Sequence, residues 1–148
     1  MNNEPELISV CQFEDDRGFS CMNMMQDNLN GGQINFSTMH PGTVKAWHKH
    51  SKQVDYWSVV RGALKCAIYN PELNKLWTYV VSERNTKIIR IPNNCWHGCS
   101  VVGNECASLL YYVTEKYDQT NPDEERVGFL EHRNWHGCEG FSWSVENK

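Results

Sequence analysis

Apolar residues along this chain fall in short runs, many alternating with polar ones, and each run is bounded by residues that turn a backbone. Alternation with period two over so few positions predicts half-buried strands rather than helices. The strands expected are Gln33–Met39, Val44–His50, Asp55–Val60, Leu64–Tyr69, Trp77–Val81, Lys87–Ile91 and Ala107–Thr114. Turns between and around them are signalled by Asn30-Gly31-Gly32, Pro41-Gly42, Arg61-Gly62, Asn70-Pro71, Asn93-Asn94 and Gly103-Asn104. Apolar positions at helical spacing are scarce. Tyr117–Arg126, with Asn121-Pro122-Asp123 inside it, reads as a polar loop, and the aromatic-rich tail from there to Lys148 is expected to pack on the body of the domain. The pattern is all-β, and 148 residues are the usual length of one domain, so residues 1–148 are taken as one.

Strand parity places the chemistry. His48 and His50, two apart, point to one face of their strand, while Lys45 and Trp47 point to the other unless a bulge intervenes. After a turn at Ser51-Lys52-Gln53, Asp55, Trp57 and Val59 share a face, so Asp55 can meet the histidines inside a barrel, and His97 beyond the Asn93-Asn94 turn can complete the set. Such a cluster supports two chemistries. It could ligate a divalent transition metal with open positions for substrate. Alternatively, a neutral histidine in a partly dry pocket is a base able to remove a proton beside a carbonyl. Spacing does not separate the two.

Composition narrows the setting. A net charge of −4 and the lack of a basic run argue against a general nucleic-acid or anionic-membrane surface, so a phosphate site has to be built locally. No signal-like segment or membrane-length apolar run is present, which makes the cytoplasm the expected location. Seven cysteines without CxxC spacing fit reduced thiols, most of them small core residues. The repeated WHGC, at Trp96–Cys99 and Trp135–Cys138, offers two His-x-Cys pairs for zinc, but the unlike flanks make coincidence the better reading.

The segment GTVKAWHKHSKQVDYWSVVRG, Gly42 to Gly62, resembles the first cupin motif, G-x5-H-x-H-x4-E-x6-G, with Asp55 in the acidic place. Pro92 and His97 in IPNNCWHG are similar to the second, P-x-G-x2-H, with Asn94 replacing its glycine. From about Asp15 to Phe129 the chain further resembles the dTDP-4-dehydrorhamnose 3,5-epimerase family. DDRGF (Asp15–Phe19) is similar to its DERGFF, QINFSTMHPGTVKAWH (Gln33–His48) to QxNxSxSxxGxLRGLH, and VVRG (Val59–Gly62) to the same four letters. IPNNCWHG is similar to IPxGFAHGF, and LLYYVTEKYDQTNPDEE (Leu109–Glu125) to LYKTTDYYxPExE. Five motifs in order with matching internal spacing identify the superfamily.

The resemblance implies an RmlC-like cupin, a double-stranded β-helix or jelly-roll barrel. It implies an isomerase acting on a nucleotide-linked 4-keto-6-deoxy sugar, without cofactor, as a homodimer that exchanges N-terminal strands. His48 falls on the family's catalytic base and Tyr111 on the acid that donates from the opposite face. Arg17 and Lys45 fall on cationic positions that hold the nucleotide diphosphate, and Gln33, Asn35, His97 and Tyr117 on further substrate-facing positions. Three departures stand out. His50 replaces a glutamine, giving an HxH similar to that of sugar-nucleotide 3,4-ketoisomerases, which makes it a further candidate catalytic residue. Asp55 replaces a lysine that stabilises the enolate oxygen, so protonated His50, or a metal on His50, Asp55 and His97, is expected to supply the positive charge. The acid that orients the catalytic histidine lies in a C-terminal WNDP segment in the family; here that region reads FLEHRNW, and Glu131 is the substitute at hand. Two rivals are a metal-dependent dioxygenase or phosphosugar isomerase using His48, His50, Asp55 and His97 as ligands, and a sugar-binding cupin without activity.

Overall fold

The computed structural model describes residues 2–145; the last residues of the tail expected to reach Lys148, together with Met1, lie outside them. Twelve strands follow in order: β1 (Glu6–Ser9), β2 (Cys11–Asp15), β3 (Gly18–Met22), β4 (Gln33–Met39), β5 (Val44–Lys49), β6 (Asp55–Arg61), β7 (Ala63–Asn70), β8 (Lys75–Ser82), β9 (Lys87–Ile91), β10 (Trp96–Val101), β11 (Ala107–Val113) and β12 (Glu125–Arg126). They form two five-stranded antiparallel sheets, ordered β1-β9-β6-β11-β4 and β12-β5-β10-β7-β8, with β2 and β3 as a separate ribbon. The inward faces enclose the main core, where Trp57, Val59, Leu64, Ile68, Ile89, Ile91, Cys99 and Leu109 meet. This is the all-β cupin barrel expected from the sequence.

The seven strands read from alternation are present, each within about two residues of its expected bounds. Five strands are not anticipated: β1, a four-residue edge strand, and β2, β3, β10 and β12, for which the reasons are physical. β10 is buried along nearly its whole length, because both faces of its sheet are covered, and so shows no alternation. β2 and β3 are exposed along nearly all of theirs and lack an apolar face to mark them. β12 is the last two residues of the expected polar loop, pairing Glu125 with Lys49 and Arg126 with His48.

Each sheet's outer face is covered by a chain terminus. Ile8, Val10, Met24 and Met25 pack on Tyr56, Ile88 and Tyr112 of the first. On the second, Trp47 is wholly buried under Trp135, Phe141 and Trp143, with ring centroids 4.9–6.0 Å apart, and both its indole and that of Trp143 donate to the Phe129 carbonyl.

A bulge re-aims β5. His97 of β10 lies opposite His48 but Cys99 opposite Lys45, so three steps on β5 match two on β10. Ala46 and Trp47 therefore both turn outward, and Lys45 returns to the cavity side with His48. Uninterrupted parity would have put Lys45 on the other face. Gly98 permits the close approach, since a Cβ there would lie 2.4 Å from the Ala46 Cβ.

Candidate active site

The strands open at one end into a cavity of about 950 Å³ lined by His48, His50, Asp55, His97, Tyr111, Lys45, Gln33, Asn35 and Tyr117, a volume that suits a substrate-sized molecule. Nine of the ten residues singled out from the sequence thus share one chamber. The tenth, Arg17, does not: it sits at the tip of the β2–β3 ribbon, with 85% of its side chain exposed, paired with Asp15.

Turn chemistry brings the histidines together. Asn94 has φ +61°, a left-handed conformation that asparagine tolerates better than other non-glycine residues, so it can stand where the second cupin motif has glycine. Its amide donates to the His50 carbonyl at 2.7 Å, and the Asn93 side chain to the Ser51 carbonyl at 2.8 Å. These bonds strap the β9–β10 turn to the end of β5. The His50 and His97 rings lie 5.2 Å apart, those of His48 and His97 6.3 Å apart.

Each group has a distinct hydrogen-bonding state. His97 is 4% exposed and pairs its Nδ1 with the Cys95 carbonyl at 3.0 Å, which makes Nδ1 the donor and leaves the Nε2 lone pair facing Asp55 at 3.9 Å. Burial pulls its pKa down to about 4, against opposition from Asp55, so the ring is neutral at pH 7. Asp55 accepts from the Gln53 side chain at 2.8 Å and the Trp57 indole at 3.0 Å. Burial raises the pKa of Tyr111, with Asp55 adding to the effect, and keeps the phenol a proton donor.

The acid paired with the base comes from an unexpected element. His48 Nδ1 lies 3.0 Å from Glu124, in the loop before β12, whose other oxygen accepts from Arg126 at 2.9 Å. Burial pushes the Glu124 pKa up, but Arg126 and His48 outweigh it and the net shift is downward. Glu131, the expected substitute, instead bonds Asn134 within a short 3-10 turn. Glu124 stood inside the PDEE stretch quoted for the resemblance, but only the pairing of β12 with β5 brings it against His48.

His50 pairs its Nδ1 with the Asp123 carbonyl at 2.5 Å. Among the described residues, the only cluster of potential metal ligands is His50, Asp55 and His97, whose ligand atoms lie within 4.8 Å of one another. His48, expected as a fourth ligand in the metal-dependent reading, is not part of it. The two WHGC segments meet through their tryptophans, Trp96 and Trp135, stacked 5.7 Å apart, but their His and Cys do not gather into a zinc site, since Cys99 is in the barrel core while His136 lies exposed in the tail. Burial raises the Cys99 thiol to about 12 and the Cys95 and Cys138 thiols to about 11, as expected of inert core residues.

Barrel, cavity and convergent histidines define an RmlC-type cupin. The fold superimposes on dTDP-4-dehydrorhamnose 3,5-epimerase from Elizabethkingia anophelis with a TM-score of 0.75, covering 97% of this chain and 82% of its counterpart at 19% identity; that likeness is one of fold. The chain belongs to the family of polysaccharide biosynthesis C-terminal domains, which matches residues 13–125. It is 30% identical to the spore coat polysaccharide biosynthesis protein SpsL of Bacillus subtilis over 95% of both chains. It is also 39% identical, over 64% of each chain, to the "Probable low-salt glycan biosynthesis epimerase Agl13" of Haloferax volcanii.

Proposed function

We propose that this protein epimerises or isomerises a nucleotide-linked 4-keto-6-deoxy sugar, moving a proton at a carbon beside the C4 carbonyl. One observation carries the reading: His48 and Tyr111 line the same cavity from opposite sheets, β5 and β11. A sugar ring between them meets a base on one face and an acid on the other, as inversion at carbon requires. Glu124 accepts from His48 Nδ1, leaves Nε2 as the base, and stabilises the imidazolium formed when the proton is taken. Tyr111 returns a proton from the far side. Lys45, Lys52, Lys116 and Arg126 around the cavity offer positive charge to a diphosphate, while Gln33, Asn35 and Tyr117 line the walls. The epimerase named among the relatives supports this assignment.

The enolate oxygen needs a positive neighbour. Asp55 and the Nε2 of neutral His97 are acceptors, so the donor comes from another wall of the cavity: His50 when both its ring nitrogens carry protons, or Lys45 on the side of His48. A second reading rests on the convergence of His50, Asp55 and His97, a donor set that suits a divalent transition metal. Such an ion would supply Lewis-acid charge at the carbonyl oxygen.

The reading includes a homodimer. The β2–β3 ribbon exposes Phe13, Phe19 and Met22, and β4, at the end of its sheet, exposes Ile34 and Phe36, apolar surface suited to a second copy. Arg17 at the ribbon tip then reaches the cavity of that copy, where its guanidinium meets the diphosphate. The seven free thiols support a reducing, cytoplasmic setting.

The test is proton exchange in deuterated buffer with dTDP-, UDP-, GDP- and CDP-linked 4-keto sugars. Deuterium should enter beside C4, and His48→Ala should slow entry roughly 10²–10⁴-fold, with Tyr111→Phe blocking inversion. No incorporation from any sugar would sink the epimerase reading. Metal analysis of the same protein, prepared without chelator, separates the readings of the positive charge: stoichiometric metal lost in His50→Ala favours the ion.

A further inference from the structure

The loop between β11 and β12 grips the start of the β5–β6 turn through one residue. The Asp123 carboxylate accepts the backbone amides of Ser51, Lys52 and Gln53 at 2.8, 2.9 and 3.0 Å and the Ser51 hydroxyl at 2.5 Å. Three successive amides aimed at one anion form a nest, a strong and directional arrangement. Burial works to raise the Asp123 pKa, but these four donors outweigh it and drive it well below the usual carboxylate range, so the grip persists at any working pH.

The same residue reaches the cavity through its backbone. Its carbonyl accepts from His50 Nδ1, which fixes the ring with Nε2 toward Asp55 and His97. The next residue, Glu124, holds His48. At its other end the loop is tied by the Tyr117 amide donating to the Gln33 side chain at 3.0 Å. The segment that lines the cavity with Tyr117 is thus the one that sets both histidine rings.

We propose that Asp123 is the positioning residue of this site: by docking the loop on the nest of Ser51, Lys52 and Gln53, it fixes the tautomer and orientation of His50 and delivers Glu124 to His48. Its effect on turnover rests on the proton-transfer reading above; its effect on the rings does not, and holds equally if His50 ligates a metal. A carbonyl that orients a histidine in this way decides which ring nitrogen is available for chemistry.

Two measurements on Asp123→Asn, with Ser51→Ala as a milder variant that removes one of the four bonds, test the assignment. Long-range proton–nitrogen NMR at pH 8 should find His50 and His48 of the wild-type protein with the proton on Nδ1. In Asp123→Asn, His50 should become a mixture of tautomers, with a smaller change in Ser51→Ala. His132, whose Nδ1 pairs with the Phe129 carbonyl at 2.9 Å in the distant aromatic cluster, should stay unchanged and report an intact fold. Deuterium exchange into a 4-keto sugar should slow on the order of 10²-fold, with kcat falling more than KM rises. A wild-type His50 protonated on Nε2, or a His50 unaltered in both variants, would overturn the proposal, and so would an Asp123→Asn exchange rate within about twofold of wild type. If the wild-type protein itself exchanges no proton, the epimerase reading fails and the NMR result alone decides the role of Asp123.

Discussion

At the residue scale, neighbours assign different roles to chemically similar side chains. His48, His50 and His97 lie in one cavity, yet Nδ1 of each faces a different partner: a carboxylate, a carbonyl of the loop before β12 and a carbonyl of the β9–β10 turn. Burial holds the pKa of His97 down to about 4, against about 6.5 in the unfolded chain. Between those values the unfolded chain binds a proton that the folded chain does not. Stability should therefore fall as pH drops from about 6.5 toward 4, by at most about 3 kcal/mol from this group. Urea midpoints across that range should show the slope, and His97→Gln should flatten it. A slope of equal size in the variant would remove His97 as its source.

At the element scale, the approach of β5 to β10 makes the site. The bulge that turns Lys45 inward and the contact that requires Gly98 occupy the same few residues. In Gly98→Ala the new methyl would also fall 2.7 Å from the Lys45 carbonyl, so the two strands must part. Overpacking of this kind should cost about 3 kcal/mol, read as a lower denaturant midpoint, and should loosen His48 opposite His97. A midpoint unchanged from wild type would mean the strands yield without cost. Outward from the bulge, Trp47 enters an aromatic cluster that the C-terminal segment completes, so the strand carrying the proposed base is held from both sides.

At the scale of the whole molecule, the exposed ribbon calls for a second copy. Light scattering should give twice the 17.2 kDa of one chain, and Phe13→Asp combined with Phe19→Asp should yield monomers. If the ribbon of one copy serves the cavity of the other, Arg17→Ala should raise KM roughly tenfold or more, as expected for loss of a charged phosphate contact worth about 1.5–3 kcal/mol. A dimer with unchanged KM would leave Arg17 outside the site. The sequence alone determined the all-β class and the meeting of His48, His50, Asp55 and His97, because strand alternation and the spacing Gly42, His48, His50, Asp55, Gly62 are local patterns that the backbone period converts directly into faces, and likeness to the epimerase family added Gln33, Asn35, Lys45, Tyr111 and Tyr117 to the same chamber. It left Glu131 as the acid for His48, put Lys45 on the wrong face under regular parity, and passed over Asp123. Those points depend on where a bulge falls and where a loop lands, and both are set by packing between segments about 50 to 75 residues apart. Only the tertiary structure could bring Glu124 to His48 and Asp123 to the turn after His50, because neither contact leaves a period or a fixed spacing in the chain.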